Sequence, residues 1–408
     1  MNKPSTSYRS SLIALVFAMF SLATGVGFIV PLLPVYAESL GASGAWIGLI
    51  FAANPLFRAV FMVVFGALAD QRGKKKIMSF GLAGYVVLAL GFVFVTEVYH
   101  LFVLRMLQGV CSAMIAPVAR AYAGEISPPH REGKVMGMLN MGFFAGFSAG
   151  PLIGGLFADQ FGFNVPFYAM AVLTAISLLL VYLFLPEQSV SQERRNVLSI
   201  PVLMESLGLL RYRLVAGAVS LRSSVGVGHG IFSTLLPLVG QLAMGLSAAQ
   251  VGFIVTSRSL LAALLQPIGG RLADRYNRRW IGFVSSLLIP LGFLVVTRSE
   301  TFTHMIFVGV LIGLGFGISV PSAEAMAVER GREHGMGRMM GLNEMSRSLA
   351  MGVGSVIGGV AMDLFGAINA HILAAAISVL GLAGAMWLLR GYRPPLRRVG
   401  GAKTFGDE

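Results

Sequence analysis

The sequence predicts an all-α membrane protein, with twelve transmembrane helices arranged as two pseudo-symmetric six-helix halves, on three observations. Of 408 residues, 56% are hydrophobic and 12% charged, and the mean hydropathy is +0.77; an ordinary soluble domain carries about 25% charged residues. Apolar runs such as 82–96 and 372–389 approach the roughly 20 residues that cross a bilayer core, without the period-two alternation of barrel strands. The chain also repeats itself in one register. Asp70 and Asp274 are 204 positions apart, and the same offset pairs Gly66 with Gly270, Gly109 with Gly313, Pro117 with Pro321, Glu125 with Glu329, Gly150 with Gly354 and Asp159 with Asp363.

Glycines, prolines and charges divide the chain into helices 1 to 6 near 11–36, 45–69, 77–95, 99–123, 135–158 and 165–185. Helices 7 to 12 follow near 214–240, 248–272, 281–297, 302–327, 338–362 and 368–389. The first run is too long for a signal-peptide core and has no clear small-residue cleavage site, so it is expected to stay as a span. Residues 186–213, with Glu193, Arg194, Arg195, Glu205, Arg211 and Arg213, form the one long polar connection. The expected division is an N-terminal half 1–185, a linker 186–213, a C-terminal half 214–390 and a tail 391–408. Six helices per half make the repeats parallel. Such repeats place a binding site near the midplane between the halves, with access alternating by rocking. Cys111, the single cysteine, lies in an apolar segment and reads as a packing residue.

The net charge of +13 is distributed by loop. Arg72, Lys74, Lys75, Lys76, Arg131, Lys134, Arg194, Arg195, Arg271, Arg275, Arg278, Arg279 and Arg330 lie in alternate loops, and both chain ends add more cations on the same side. The opposite loops hold Arg298 alone. The positive-inside rule then places both termini in the cytoplasm of a multi-pass protein of the cell (inner) membrane. The cations are accounted for with no nucleic-acid partner.

Four segments carry a family likeness: GALADQRGKKK at 66–76 with a degenerate copy GRLADRYNRRW at 270–280, LFVLRMLQGVCSA at 101–113, the glycine series from Gly142 to Gly155, and GFIVPLLPV at 27–35. Together they resemble the major facilitator superfamily, and more narrowly its twelve-helix drug:proton antiporter group. Gly66, Leu68, Asp70, Gly73, Lys74 and Lys75 match the loop motif G-x-L-a-D-r-x-G-r-k, with Gln71 in place of the usual arginine. The resemblance implies that this segment latches a cytoplasmic gate through Asp70 and Lys74. Glu125, at the end of helix 4, is the acid placed to pair with Lys74, while Lys75 and Lys76 read as topology anchors. Asp274 recurs in the second copy but Asn277 stands where Gly73 would, so the two latches are expected to be unequal. Arg105, Gln108 and Gly109 match the helix 4 motif, with Cys111 replacing a usual glycine. The resemblance implies a role for Arg105 in proton transfer; the alternative is snorkelling to the outer headgroups. Gly146, Gly150, Pro151, Gly154 and Gly155 are similar to the helix 5 motif of exporting antiporters. Glycines four apart share a helix face and admit a close neighbour, and Pro151 permits a bend.

Inside the spans lie Arg58, Arg105, Arg120, Arg222, His229, Arg258, Glu324, Glu344 and Arg347, where a charge at the helix centre costs about 2.5–3.5 kcal/mol. Arg58, Arg222, Arg258 and Arg347, with Asn54, are assigned to a substrate cavity. Glu344 precedes Arg347 by three residues and shares its face. Either the two neutralise each other, or Glu344 binds the coupling proton. Arg105 and His229 are the other coupling candidates; His229 titrates near neutrality when unperturbed, or serves as a hydrogen-bonding residue. Arg120 and Glu324 occupy equivalent positions of the repeat and are expected to pair in the inner gate.

The leading expectation is a proton-coupled antiporter that exports small amphipathic molecules by alternating access, with substrate, protons and the lipid bilayer as its partners and a monomer as its state. Helix 1 lacks the acid that many exporters of lipophilic cations carry, and the cavity sums to positive, which favours a carboxylate- or phosphate-bearing substrate. That leaves an organic-anion uniporter or exchanger as the second reading. No metal-ligand cluster or phosphate-binding lysine loop is present, so no metal, cofactor or enzymatic activity is expected. The linker is too short for a sensor domain.

Overall fold

The computed structural model describes residues 8–127, 132–187, 207–334 and 336–392; most of the expected linker and all but two residues of the expected tail lie outside the described residues. In hydrocarbon each backbone N–H and C=O must find its partner within the segment, and the chain answers with helices. These are α1 (Tyr8–Ser39), α2 (Gly44–Arg72), α3 (Lys74–Gly91), α4 (Val98–Ile126), α5 (Glu132–Phe161), α6 (Val165–Phe184), α7 (Arg213–Leu238), α8 (Ala248–Arg275), α9 (Arg278–Val296), α10 (Phe302–His334) and α11 (Met336–Leu388). α9 is two segments meeting at Leu287, because Pro290 has no N–H to give the Ser286 carbonyl. Helices 11 and 12 of the sequence reading run together as α11, whose two arms meet at Gly366 with φ 77° and ψ 160°. Glycine alone adopts that geometry without steric cost, so the turn needs no loop.

The turns preserve the repeat. Gly41 and Gly245 have φ of 81° and 66°, and Gly162 and Gly366 have 94° and 77°; each pair is 204 residues apart. These four glycines mark one end of the bundle, called distal below. Tyr8, Gly73 and Tyr392 mark the proximal end.

Helices α1–α6 enclose one core around Leu15, Met19, Phe51, Tyr85, Phe92 and Phe167, while Phe232, Ile254, Phe293 and Ile312 centre a second within α7–α11. Leu238 and Met362 join the first core and Val30 the second, all near the distal end. Large apolar side chains such as Phe80, Phe94, Leu264 and Leu380 face outward and exposed, as a protein solvated by lipid requires.

The glycine stripe of α5 lies against α1. A Cβ at Gly142 would sit 2.7 Å from the Val16 carbonyl oxygen, one at Gly150 2.8 Å from Gly27 Cα, and one at Gly154 2.8 Å from Phe28 Cα. Backbone cannot yield there as a side-chain tip does, and overpacking typically costs about 1–3 kcal/mol. Gly150→Ala is therefore expected to lower the melting temperature of the detergent-purified protein by several degrees. Gly66→Ala, whose new methyl meets open space, is expected to leave it unchanged.

Candidate functional site: a cleft between the halves

The distal end is closed by two matching clamps. Asp159, at the end of α5, accepts hydrogen bonds from Ala248 N (3.2 Å) and Ala249 N (2.9 Å), the first amides of α8. Asp363, 204 residues later, accepts from Gly44 N (2.6 Å) and Ala45 N (2.8 Å), the first amides of α2. Helix N-termini offer unpaired N–H groups and partial positive charge, so a carboxylate fits both. Ser43 and Ser247 cap the same two helices. Close backbone contacts flank the clamps: Gly44 against Gly359, Gly48 against Ser355, Gly155 against Ala248 and Gly252 against Pro151. Gln241 Nε2 donates to the Pro31 carbonyl at 2.6 Å.

Toward the proximal end these contacts stop. Gly66 and its repeat mate Gly270, and Gly137 and its mate Gly341, have nothing within 4 Å of where a Cβ would stand. The halves thus separate into a cleft that is closed distally and open proximally.

Arg58 on α2 lies at the floor of this cleft. Its Nη2 donates to Ser348 Oγ at 3.2 Å and stands 3.8 Å from Glu344 Oε1. Arg347 holds Glu344 with two hydrogen bonds, Nε to Oε2 at 3.0 Å and Nη2 to Oε1. A carboxylate on one half is therefore approached by guanidiniums from both. Deeper toward the opening, Arg222 pairs with Glu324 at 3.3 Å. Arg120 is exposed and makes no hydrogen bond among the described residues, with Glu344, Arg347 and Glu324 in electrostatic reach. The expected Arg120–Glu324 pair is replaced by Arg222–Glu324, because α7 and α10 pack within one half whereas Arg120 looks across the open cleft.

Three other expected site residues lie elsewhere. Arg258, assigned to the cavity, is buried between the rings of Phe232 and Phe316, 4.7 and 5.2 Å from its guanidinium carbon, and donates to Ser259 Oγ at 3.3 Å. Two aromatic faces stabilise a cation there without a carboxylate. Arg105 is 3% exposed, donates to Gln108 Oε1 at 2.7 Å and lies over Phe51; it turns inward and does not reach for headgroups. Asn54 is buried with its backbone carbonyl against Gly109. His229 does border the interface, its ring between Phe147 of α5 and Phe316 of α10 at 6.2 and 5.4 Å, with no hydrogen bond to the ring among the described residues.

At the proximal rim, Lys74 Nζ lies 2.9 Å from Asp70 and 2.6 Å from Glu125. Arg278, its repeat mate, lies 3.5 Å from Asp274 and 2.9 Å from Glu329. Each triad ties helices of its own half, and neither crosses the cleft. The second is more heavily bonded: Tyr392 donates to Glu329 at 2.6 Å, Arg330 pairs with it at 3.0 Å, and Arg278 also donates to the carbonyls of Ala273 and Ala325. Burial, and then the Glu329 carboxylate, raise the Tyr392 hydroxyl above its ordinary pKa and keep it a donor. The turns that precede the two cations differ as well. Gly73 takes φ 95°, whereas Asn277 caps α9 by accepting from Arg279 N.

Sequence reasoning did not single out Ser348, Gln241 or the clamp role of Asp159 and Asp363. The pairing of the two aspartates in the repeat, together with that of Ser43 and Ser247, which suit N-caps, was the available signal.

Known proteins match along most of the chain. The sequence pattern of the Major Facilitator Superfamily fits residues 15–248 and again 218–406. An uncharacterised MFS-type transporter of Methanocaldococcus jannaschii is 32% identical over 364 residues, 88% of this chain and 93% of the relative. The multidrug resistance protein MdtG of Salmonella paratyphi A is 28% identical over 353 residues, 84% and 87% of the two chains. Among solved structures, the nucleoside transporter NupG superposes with a TM-score of 0.80 at 15% identity, over 93% of this chain and 99% of that one.

If the two aspartates hold the distal end, Asp159→Asn with Asp363→Asn should loosen it. In a Cys111→Ser background with Ser355→Cys, a membrane-impermeant maleimide applied from the distal side should label the buried thiol several-fold faster in the double variant. Equal rates would contradict the clamp.

Proposed function

The chain belongs to the Major Facilitator Superfamily and is a multi-pass membrane transporter, and from that premise we propose that it works as a proton-coupled antiporter of the drug:proton group. It exports small amphipathic organic molecules by alternating access and carries out no catalysis. The likeness to a protein named for multidrug resistance supports the substrate breadth, and the glycine stripe of α5 with Pro151 supports the antiport branch. The halves are 1–185 and 214–390, joined by the 186–213 linker, and the protein acts as a monomer. The lysines and arginines at the proximal end support a cytoplasmic placement of that end, with both termini on that side of the inner membrane.

One observation carries the coupling. Glu344 is held by Arg347 on its own helix and faces Arg58 on the other half, so its charge bears on whether the halves stay joined at the cleft floor. Protonation removes that charge, releases Arg58, and lets the halves rock. Arg105 acts as a positioning residue behind α2, through Phe51, and His229 as a half-buried neighbour that senses the same movement. When the cytoplasmic rim closes, the exposed carboxylates of Asp70 and Asp274 are the groups available to engage the opposite half, as Asp159 and Asp363 do distally now. Gly66 and Gly73 permit that approach, and Lys74, Glu125, Arg120 and Glu324 set the charge around it.

The second reading, an organic-anion uniporter or exchanger, draws on the charge of the cleft: four guanidiniums at Arg58, Arg120, Arg222 and Arg347 against the carboxylates of Glu324 and Glu344. Proteoliposomes separate the two. Antiport predicts that uphill substrate movement follows an imposed pH gradient and collapses with a protonophore. Flux indifferent to the gradient, and stopped only by removing a counter-anion, overturns it. Glu344→Gln should abolish gradient-driven flux at least 10-fold while substrate exchange remains measurable.

A further inference from the structure

The two walls of the cleft differ in a way that the repeat does not require. On the wall built by α7–α11, each guanidinium has its own carboxylate, Arg347 with Glu344 and Arg222 with Glu324. On the wall built by α1–α6 stand Arg58 and Arg120, and neither has a hydrogen-bonded carboxylate among the described residues. Arg58 is bonded to the neutral Ser348, and Arg120 is exposed, with no hydrogen bond among the described residues. The two lie within electrostatic reach of each other. Arg58 stands 3.8 Å from Glu344, a carboxylate already held by Arg347, so the wall of α1–α6 supplies more positive charge than it balances, and charges kept inside a membrane span at that cost mark a ligand path. The repeat sharpens the contrast, since the position equivalent to Arg58 is Ala262 and the one equivalent to Arg120 is Glu324.

We propose that Arg58 and Arg120 form the oxyanion site of the transported molecule, an amphiphile bearing a carboxylate or a phosphate monoester, and that Glu344 is the internal carboxylate whose hold on Arg58 the substrate displaces. Guanidinium donors are arranged for bidentate recognition of such groups. Once Glu344 lets go of Arg58, the two guanidiniums match one phosphate dianion or one carboxylate with charge to spare. The half-buried ring of Phe147, near His229 at the interface, offers an apolar side to the same molecule. This rests on the transporter reading above and adds to it the sign of the substrate and the residues that select it.

The test is equilibrium binding to the full-length protein in detergent micelles at neutral pH, with no gradient, by isothermal titration calorimetry. The probes are 2-naphthoate, 2-naphthyl phosphate and a naphthyl-trimethylammonium of similar size. The naphthoate, the phosphate or both should bind at least 10-fold tighter than the ammonium, and which of them does so tells carboxylate from phosphate substrates. Arg58→Gln and Arg120→Gln should each weaken anion binding about 10-fold, while Arg271→Gln, on the exposed rim, should not. Glu344→Gln should tighten anion binding several-fold by removing the competing carboxylate, a gain that a misfolded variant does not produce. An ammonium probe that binds as well as the anions, or anion affinity that is unmoved by the arginine variants or weakened by Glu344→Gln, overturns the proposal. Binding as expected without gradient-driven flux would instead count against the coupling reading and leave the anion site standing.

Discussion

Two exposed aspartates, each seated on the first turn of a helix from the other half, are the contacts on which the rest of the arrangement depends. They set which end of the bundle is shut. Each makes two hydrogen bonds and faces a helix dipole, an interaction typically worth about 0.3–1 kcal/mol at an exposed site. That is small against the cores of the halves but comparable with the few kcal/mol that separate the states of a two-state protein. A weak clamp suits a transporter, since a contact of 5 kcal/mol or more would hold one state almost exclusively. The glycine contacts beside the clamps remove steric obstacles to closure without binding the ends permanently.

Where the repeat is kept, the shared features are mechanical. The clamps, the four distal turns at Gly41, Gly162, Gly245 and Gly366, and the rim triads of Lys74 and Arg278 all recur at the same offset. Where it is broken, the differences are chemical. Asn54 faces Arg258 in the alignment, Arg58 faces Ala262, Arg120 faces Glu324, Asn140 faces Glu344 and Phe143 faces Arg347. Two halves that share their turns and clamps but carry different charges line the cleft unequally.

The fold was legible because composition, glycine punctuation and a constant offset all act over long stretches of chain. The break at Pro290 and the loopless turn at Gly366 were not, since an apolar run reads alike whether straight or bent. Lys74 with Glu125 was legible because their places at adjacent helix ends bring them together whatever the rest of the bundle does. Arg120 with Glu324 was not, because equivalence in a repeat sets height along the bundle and says nothing about which state the cleft is in. Arg258 illustrates a further limit. An arginine in a span suggests a cavity, but its actual neighbours are Phe232 and Phe316, which lie 26 positions before it and 58 after it, and no local pattern joins the three.

The central claim is that the halves rock as rigid bodies about the level of Arg58 and Glu344, so that one end closes as the other opens. Double electron–electron resonance in lipid nanodiscs tests it with two label pairs, Arg72 with Gly341 at the proximal end and Ala42 with Leu364 at the distal end, measured at neutral and acidic pH. The account predicts a second population at acidic pH in which the proximal distance shortens and the distal distance lengthens together. Distances that stay single at both ends, or that lengthen or shorten in the same sense, would contradict it.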